Sequence, residues 1–315
     1  MAPDENQSLW KTYLMDGPRF LSLTGLALIG SGSFALFLTF SRHFLPHDAI
    51  HVGFTAEELS LIAPNLVEFM FHDRAAFGGA LIAMGVLYLW LSEYPLRAGR
   101  AWAWQIFVVS GVLGFGSFLS YIGYGYLDTW HGFATLFLLP VFIAGLAISR
   151  KLVSADEPRK LHFSPLAAWI QARRKGAGFG LILCYSLGLV LGGASILAIG
   201  MTSVFVPQDT AFIELCGDEI DAISETLIPV IAHDRVGFGG ALLTIGVTLY
   251  LTLLNAPFSL SLFQTVLLSG SIGFASAIGI HFYVGYTDFI HLLPAYSGAV
   301  LFYSGLALAK RASAS

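Results

Sequence analysis

The sequence predicts an all-α polytopic integral membrane protein with eight transmembrane helices, arranged as two parallel four-helix repeats. Three observations carry that prediction. Of the 315 residues, 56% are hydrophobic and only 11% charged, whereas an ordinary soluble domain is about 25% charged. Eight apolar stretches each approach the roughly 20 residues needed to cross a bilayer. A ten-residue block also recurs about 161 residues further on with eight positions unchanged. This composition excludes disordered, collagen-like, nucleic-acid-binding and disulfide-rich classes.

The stretches run over 20–40, 74–92, 102–124, 130–149, 178–200, 235–254, 262–284 and 290–309. The first is too long for a cleaved leader and lacks a small-residue cleavage site after it, so it reads as an anchor. Gly30, Gly32 and Ser33 in the first stretch, and Gly192, Gly193 and Ser195 in the fifth, suit close helix contact in lipid. Eight spans place both termini on one side. Thirteen of the 16 lysines and arginines fall there, leaving Arg42, Arg74 and Arg235 opposite. The positive-inside rule makes that side cytoplasmic, in a bacterial-type plasma membrane. Fourteen of the 20 acidic residues fall on the other side. An acidic outer mouth favours cations over anions.

The repeat divides the chain into a first unit (1–149), a basic linker (150–176) and a second unit (177–315). Four spans per unit is an even number, so both units enter the membrane the same way, about a pseudo-twofold axis along the membrane normal. Each unit has a long outer loop, 41–71 or 201–232, that opens on a Pro-x-Asp turn signal (Pro46/Asp48, Pro207/Asp209). In the first, Leu59, Ile62, Leu66, Phe69 and Met70 follow a helical period, which predicts a short amphipathic lid helix. The linker's Leu166–Ile170 run could lie along the inner headgroups.

Two motifs gather the polar chemistry. His72-Asp73-Arg74 recurs as His233-Asp234-Arg235, and Gly125-Tyr126-x-Asp128-x-x-His131 recurs as Gly285-Tyr286-x-Asp288-x-x-His291. The first motif is expected to open the second span of each unit and the second motif the fourth, so both should meet at the outer interface. Asp-x-x-His places carboxylate and imidazole on one helical face. There they could share a divalent transition metal such as zinc, iron or manganese, with His72 or His233 completing the site. The expected metal ligands are thus His72, Asp128, His131, His233, Asp288 and His291. Asp73 and Asp234 are the expected general bases, and Arg74 and Arg235 the holders of an anionic group. Haem between paired histidines ranks lower, because the adjacent carboxylates would face the porphyrin edge. His281 inside the seventh span is a further candidate, since an ionisable group in lipid marks function by default. The His43/His47/His51 row is broken by Pro46 and reads as solvated loop.

These residues support a metal-dependent membrane enzyme acting on a lipid-like or quinone-like substrate that reaches the site from the bilayer, with membrane lipids as its surroundings. They also support a transporter using them as path lining, or a structural or accessory subunit using them as helix clamps. The two Gly-Gly pairs (Gly78-Gly79, Gly239-Gly240) read as packing surfaces, because no Lys or Ser/Thr follows to make a phosphate loop.

Overall fold

The computed structural model describes residues 16–119, 129–153 and 161–314, and the described residues are helical with no strand among them. In chain order the helices are α1 (Gly17–Phe40), α2 (Pro46–Val52), α3 (Ala56–Ile62), α4 (Pro64–Leu91), α5 (Ala101–Leu119), α6 (Thr129–Ser149) and α7 (Pro165–Lys175). They continue with α8 (Ala177–Gly200), α9 (Pro207–Ile213), α10 (Gly217–Ile223), α11 (Leu227–Asn255), α12 (Leu260–Val284) and α13 (Phe289–Ala314). Eight of them are long and apolar enough to cross a membrane: α1, α4, α5, α6, α8, α11, α12 and α13.

α4 and α11 form the centre. Their most apolar windows are 78% and 72% buried, against 17–33% for the other six, which leave their apolar surface for lipid. α4 packs along α1 and α11 along α8, and glycines set the distance. A Cβ on Gly78 would come within 2.9 Å of the Gly32 carbonyl oxygen, and one on Gly193 within 2.7 Å of the Gly239 carbonyl oxygen. The glycine pairs thus serve backbone approach. Gly193→Val is expected to push α8 off α11 and cost about 1–3 kcal/mol. A lower unfolding midpoint in detergent would show this, and an unchanged midpoint would refute it.

The third span of each sequence half packs on the second span of the other half: α12 on α4, and α5 on α11. The halves are therefore interlocked, and α12 brings its far end beside the start of α4.

The central helices begin earlier than hydropathy suggests. α4 starts at Pro64 and α11 at Leu227, so the two HDR motifs lie inside their helices rather than at their starts. His72 sits eight residues in and His233 six, which is about 12 Å and 9 Å at 1.5 Å per residue. Charged residues in a window look like a span boundary, but here they are paired within the bundle. Leu66, Phe69 and Met70, expected in a lid, belong to the first turns of α4. Only Leu59 and Ile62 of the expected lid helix lie in a separate short helix, α3, which follows α2, where Pro46 opens the helix instead of breaking it.

Short helices α2, α3, α9 and α10 cover this end, with Val52, Leu59, Ile213 and Ile220 buried beneath them. Glu58 closes a capping box on α3, accepting from the Thr55 backbone N–H at 2.8 Å, and Glu219 accepts from the Cys216 backbone at 2.8 Å to start α10. These backbone bonds hold both carboxyls below the usual range. A lowered carboxyl contributes stability above its unfolded pKa of about 4.3, and that stability is lost as pH falls through the folded value. Amide exchange of α3 and α10 should therefore speed up in acid, and Glu58→Gln should remove the effect in α3. Exchange in α3 with no pH dependence beyond the intrinsic chemistry would refute this.

At the opposite end α7 exposes Leu166 and Trp169. Arg173 stacks on Trp169 at 4.5 Å. Leu166, Trp169 and Ile170 of the apolar run are thus exposed while Ala168 is buried, on a helix ending in Arg173, Arg174 and Lys175. Cys184 and Cys216 are both free thiols.

Candidate metal centre

Four elements meet under the covered end: the third turn of α4, the last turn of α12, the 285–288 turn and the first turn of α13. Gly285 ends α12 in the left-handed region (φ +81°), which a side chain would strain, and this turns the chain back so that Tyr286 points inward. His72, His281 and His291 converge there, with one ring nitrogen of each within 4.8 Å of the others. His72 Nε2 and His281 Nε2 are 3.0 Å apart.

The partners of the other ring nitrogens fix the tautomers. His281 Nδ1 lies 2.6 Å from the Ala277 carbonyl oxygen, which can only accept, so this nitrogen carries hydrogen. His72 Nδ1 is 3.0 Å from Asp73 Oδ1, whose other oxygen accepts from Arg235 Nε at 2.9 Å, so it donates as well. The Tyr286 hydroxyl donates to Asp209 Oδ1 at 2.8 Å and so accepts from His291 Nδ1 at 3.0 Å. Burial beside the Asp209 carboxylate pushes the Tyr286 phenol above its ordinary range, keeping it a donor. All three imidazoles are thereby tied by Nδ1, leaving three Nε2 lone pairs. Two such lone pairs face each other across 3.0 Å and need a cation between them, a proton or a metal. Two nitrogens on one ion at about 2.0–2.1 Å sit roughly 3.0–3.4 Å apart in the usual geometries.

Beside the histidines lies an ion-pair lattice joining the halves. Arg235 donates to Asp73 at 2.9 Å, to Asp209 at 2.6 Å and to the Val204 carbonyl at 2.7 Å. Val204 presents that carbonyl from a left-handed conformation (φ 62°), rare for a β-branched residue. Arg74 donates to Asp48 at 2.6 Å and lies 3.6 Å from Asp234. Each arginine thus binds the short-helix aspartate of its own half and faces the HDR aspartate of the other. His233 Nδ1 is 3.1 Å from Asp234.

The expected residues therefore divide. His72 and His291 come together, joined by His281. His233 and Asp288 are not in this group; the Asp288 carboxylate accepts from the His291 backbone N–H at 2.7 Å and caps α13. Asp128 lies outside the described residues, as does the side chain of His131. Sequence reasoning took Asp48 and Asp209 only as turn signals and Tyr286 only as part of the second motif, and assigned none of them a place around the histidines. The available signal was the matching Pro-x-Asp in both loops. The chain matches no protein-family model, no curated protein and no solved structure.

Proposed function

We propose that the protein is a metal-dependent integral membrane protein in which His72, His281 and His291 hold one divalent transition metal ion. The observation that carries this reading is the tautomer pattern: each ring gives its Nδ1 hydrogen to an acceptor in the protein and keeps Nε2 for a cation. Outer partners that fix tautomer and ring orientation are the usual support of a histidine metal site. Three neutral imidazoles suit zinc or iron better than manganese, which favours carboxylates. Three protein ligands leave a coordination position for water or substrate, the form of a catalytic rather than a closed structural site.

In this reading Asp73 is a positioning residue for His72, not a free base. Arg74 and Arg235 clamp the halves instead of holding a ligand anion. The two four-helix units are parallel repeats about a pseudo-twofold axis, both termini are cytoplasmic, and the covered end with its histidines faces outward. A lipid-like or quinone-like substrate then enters from the bilayer. The clamp on its own would also serve a non-catalytic subunit, and the cross-half ion pairs favour that as the second reading.

Elemental analysis of protein purified without chelator tests the proposal. Near-stoichiometric zinc or iron is expected. No transition metal above background, with none taken up on dialysis against zinc or ferrous iron, would overturn it.

A further inference from the structure

A second feature of the bundle lies at the end opposite the histidine cluster. α7 runs from Pro165 to Lys175, and Gly176 alone separates it from the apolar span α8. Its inner side is pinned to the ends of two spans. Gln171 donates to the Leu254 carbonyl at 2.7 Å and Lys175 to the Leu253 carbonyl at 3.5 Å, both in the last turn of α11. Ala168 is buried. The Ala172 methyl lies 3.6 Å from where a Cβ on Gly180 would stand, in the first turn of α8. Just before α7, Asn255 closes two hydrogen bonds on the His162 backbone, 3.0 Å each. α7 is therefore held beside the terminal turns of apolar spans, at the depth where hydrocarbon gives way to headgroups.

The outer side of the helix carries a different chemistry. Leu166, Trp169, Ile170 and Arg173 follow at three- and four-residue spacing and share one face. Leu166 is 64% exposed and Trp169 55%, and Ile170 and Arg173 are exposed as well. The face ends on cations. The Arg173 guanidinium lies 4.5 Å from the Trp169 ring, and Arg174 beside it is exposed. From Arg150 to Gly176 the chain holds seven basic residues against two acidic ones, an excess of five positive charges. An exposed indole joined to guanidinium groups at the end of a span matches a lipid interface: the ring sits at headgroup level and the cations meet phosphate.

We propose that the outer face of α7 binds anionic phospholipid of the adjoining leaflet. Leu166, Trp169 and Ile170 enter the boundary between acyl chains and headgroups, and Arg173 and Arg174 hold the phosphate. The occupant is the bilayer rather than a protein, because the helix stands at the depth of the span ends and its exposed charge is positive. The site does not rest on the metal reading, which concerns the other end of the bundle.

The test reconstitutes the full chain in bilayers of phosphatidylcholine containing either phosphatidylcholine or phosphatidylglycerol brominated in the acyl chain, a contact quencher of indole fluorescence. The difference between the parent and Trp169→Phe isolates the Trp169 signal from the five other tryptophans. Brominated phosphatidylcholine should quench that signal, because the ring lies in the bilayer. At equal mole fraction, brominated phosphatidylglycerol should act as a lipid bound at least about fivefold tighter, the scale of one basic side chain at an anionic leaflet. Arg173→Gln combined with Arg174→Gln changes only exposed side chains and should bring the two lipids to parity. About 0.5 M salt should weaken the preference in the parent. Glycerol 3-phosphate, a phosphate head without chains, should not displace the lipid. No quenching by either lipid would place a protein partner or a second copy of the chain on this face. Equal quenching by both lipids, a preference that survives the double variant, or displacement by glycerol 3-phosphate would remove the anionic-lipid site. Each of these results overturns the proposal.

Discussion

His281→Ala is expected to lower metal affinity by at least about 100-fold, since loss of an outer partner alone costs roughly 10–100-fold and this removes a ligand. Elemental analysis after dialysis against buffer reads the result. Asp73→Asn should fall in the smaller range, because His72 keeps its ring and loses only the carboxylate that orients it. Asp288→Ala should keep the metal, since that carboxylate caps α13 and stands outside the histidine group. The order His281→Ala, then Asp73→Asn, then Asp288→Ala is the expected ranking of loss. Equal metal content in all three would remove the assigned roles.

Arg235→Ala carries the largest stability effect. The guanidinium is buried against Asp73 and Asp209, with side-chain exposures of 8%, 5% and 0%. Removing it leaves two carboxylates in a low-dielectric interior without their partner, which costs about 3–5 kcal/mol. Arg235→Lys should recover little, because three acceptors (Asp73, Asp209 and the Val204 carbonyl) are spread over the guanidinium fork and an ammonium cannot reproduce that spread. Adding Asp73→Asn and Asp209→Asn to Arg235→Leu should restore part of the loss by removing the stranded charge. Thermal unfolding in detergent measures all four variants. A single variant as stable as the parent would show that the lattice does not join the halves.

How much of this was legible in the sequence depends on the range of the interaction involved. Eight spans follow from composition over short windows, and the apolar helices appear where those windows lie. The start of α4 at Pro64 was not legible, because Glu68, Asp73 and Arg74 lower the hydropathy of its first turns. Asp73 and Arg74 find their partners 162 and 26 residues away along the chain. The histidines were legible as candidates one by one. Which of them meet was not, because His72 belongs to the first half while His281 and His291 belong to the second. Only the packing of α12 on α4 brings them together, and no local pattern encodes it. Asp288 shows the reverse limit: Asp-x-x-His spacing fits a shared ligand face and a helix cap equally well, and the cap is what forms.

The crossing of α12 onto α4 also has a consequence for biogenesis. His72 waits 209 residues along the chain for His281, and His291 follows still later. A nascent chain halted at the linker carries Asp73 without Arg235 and His72 without either neighbour, inside the lipid phase. Such an intermediate leaves those buried groups without the partners they have in the complete chain, which is costly. If the three histidines hold a metal as proposed, its uptake would report that α12 and α13 are in place, which ties loading of the site to the order of synthesis.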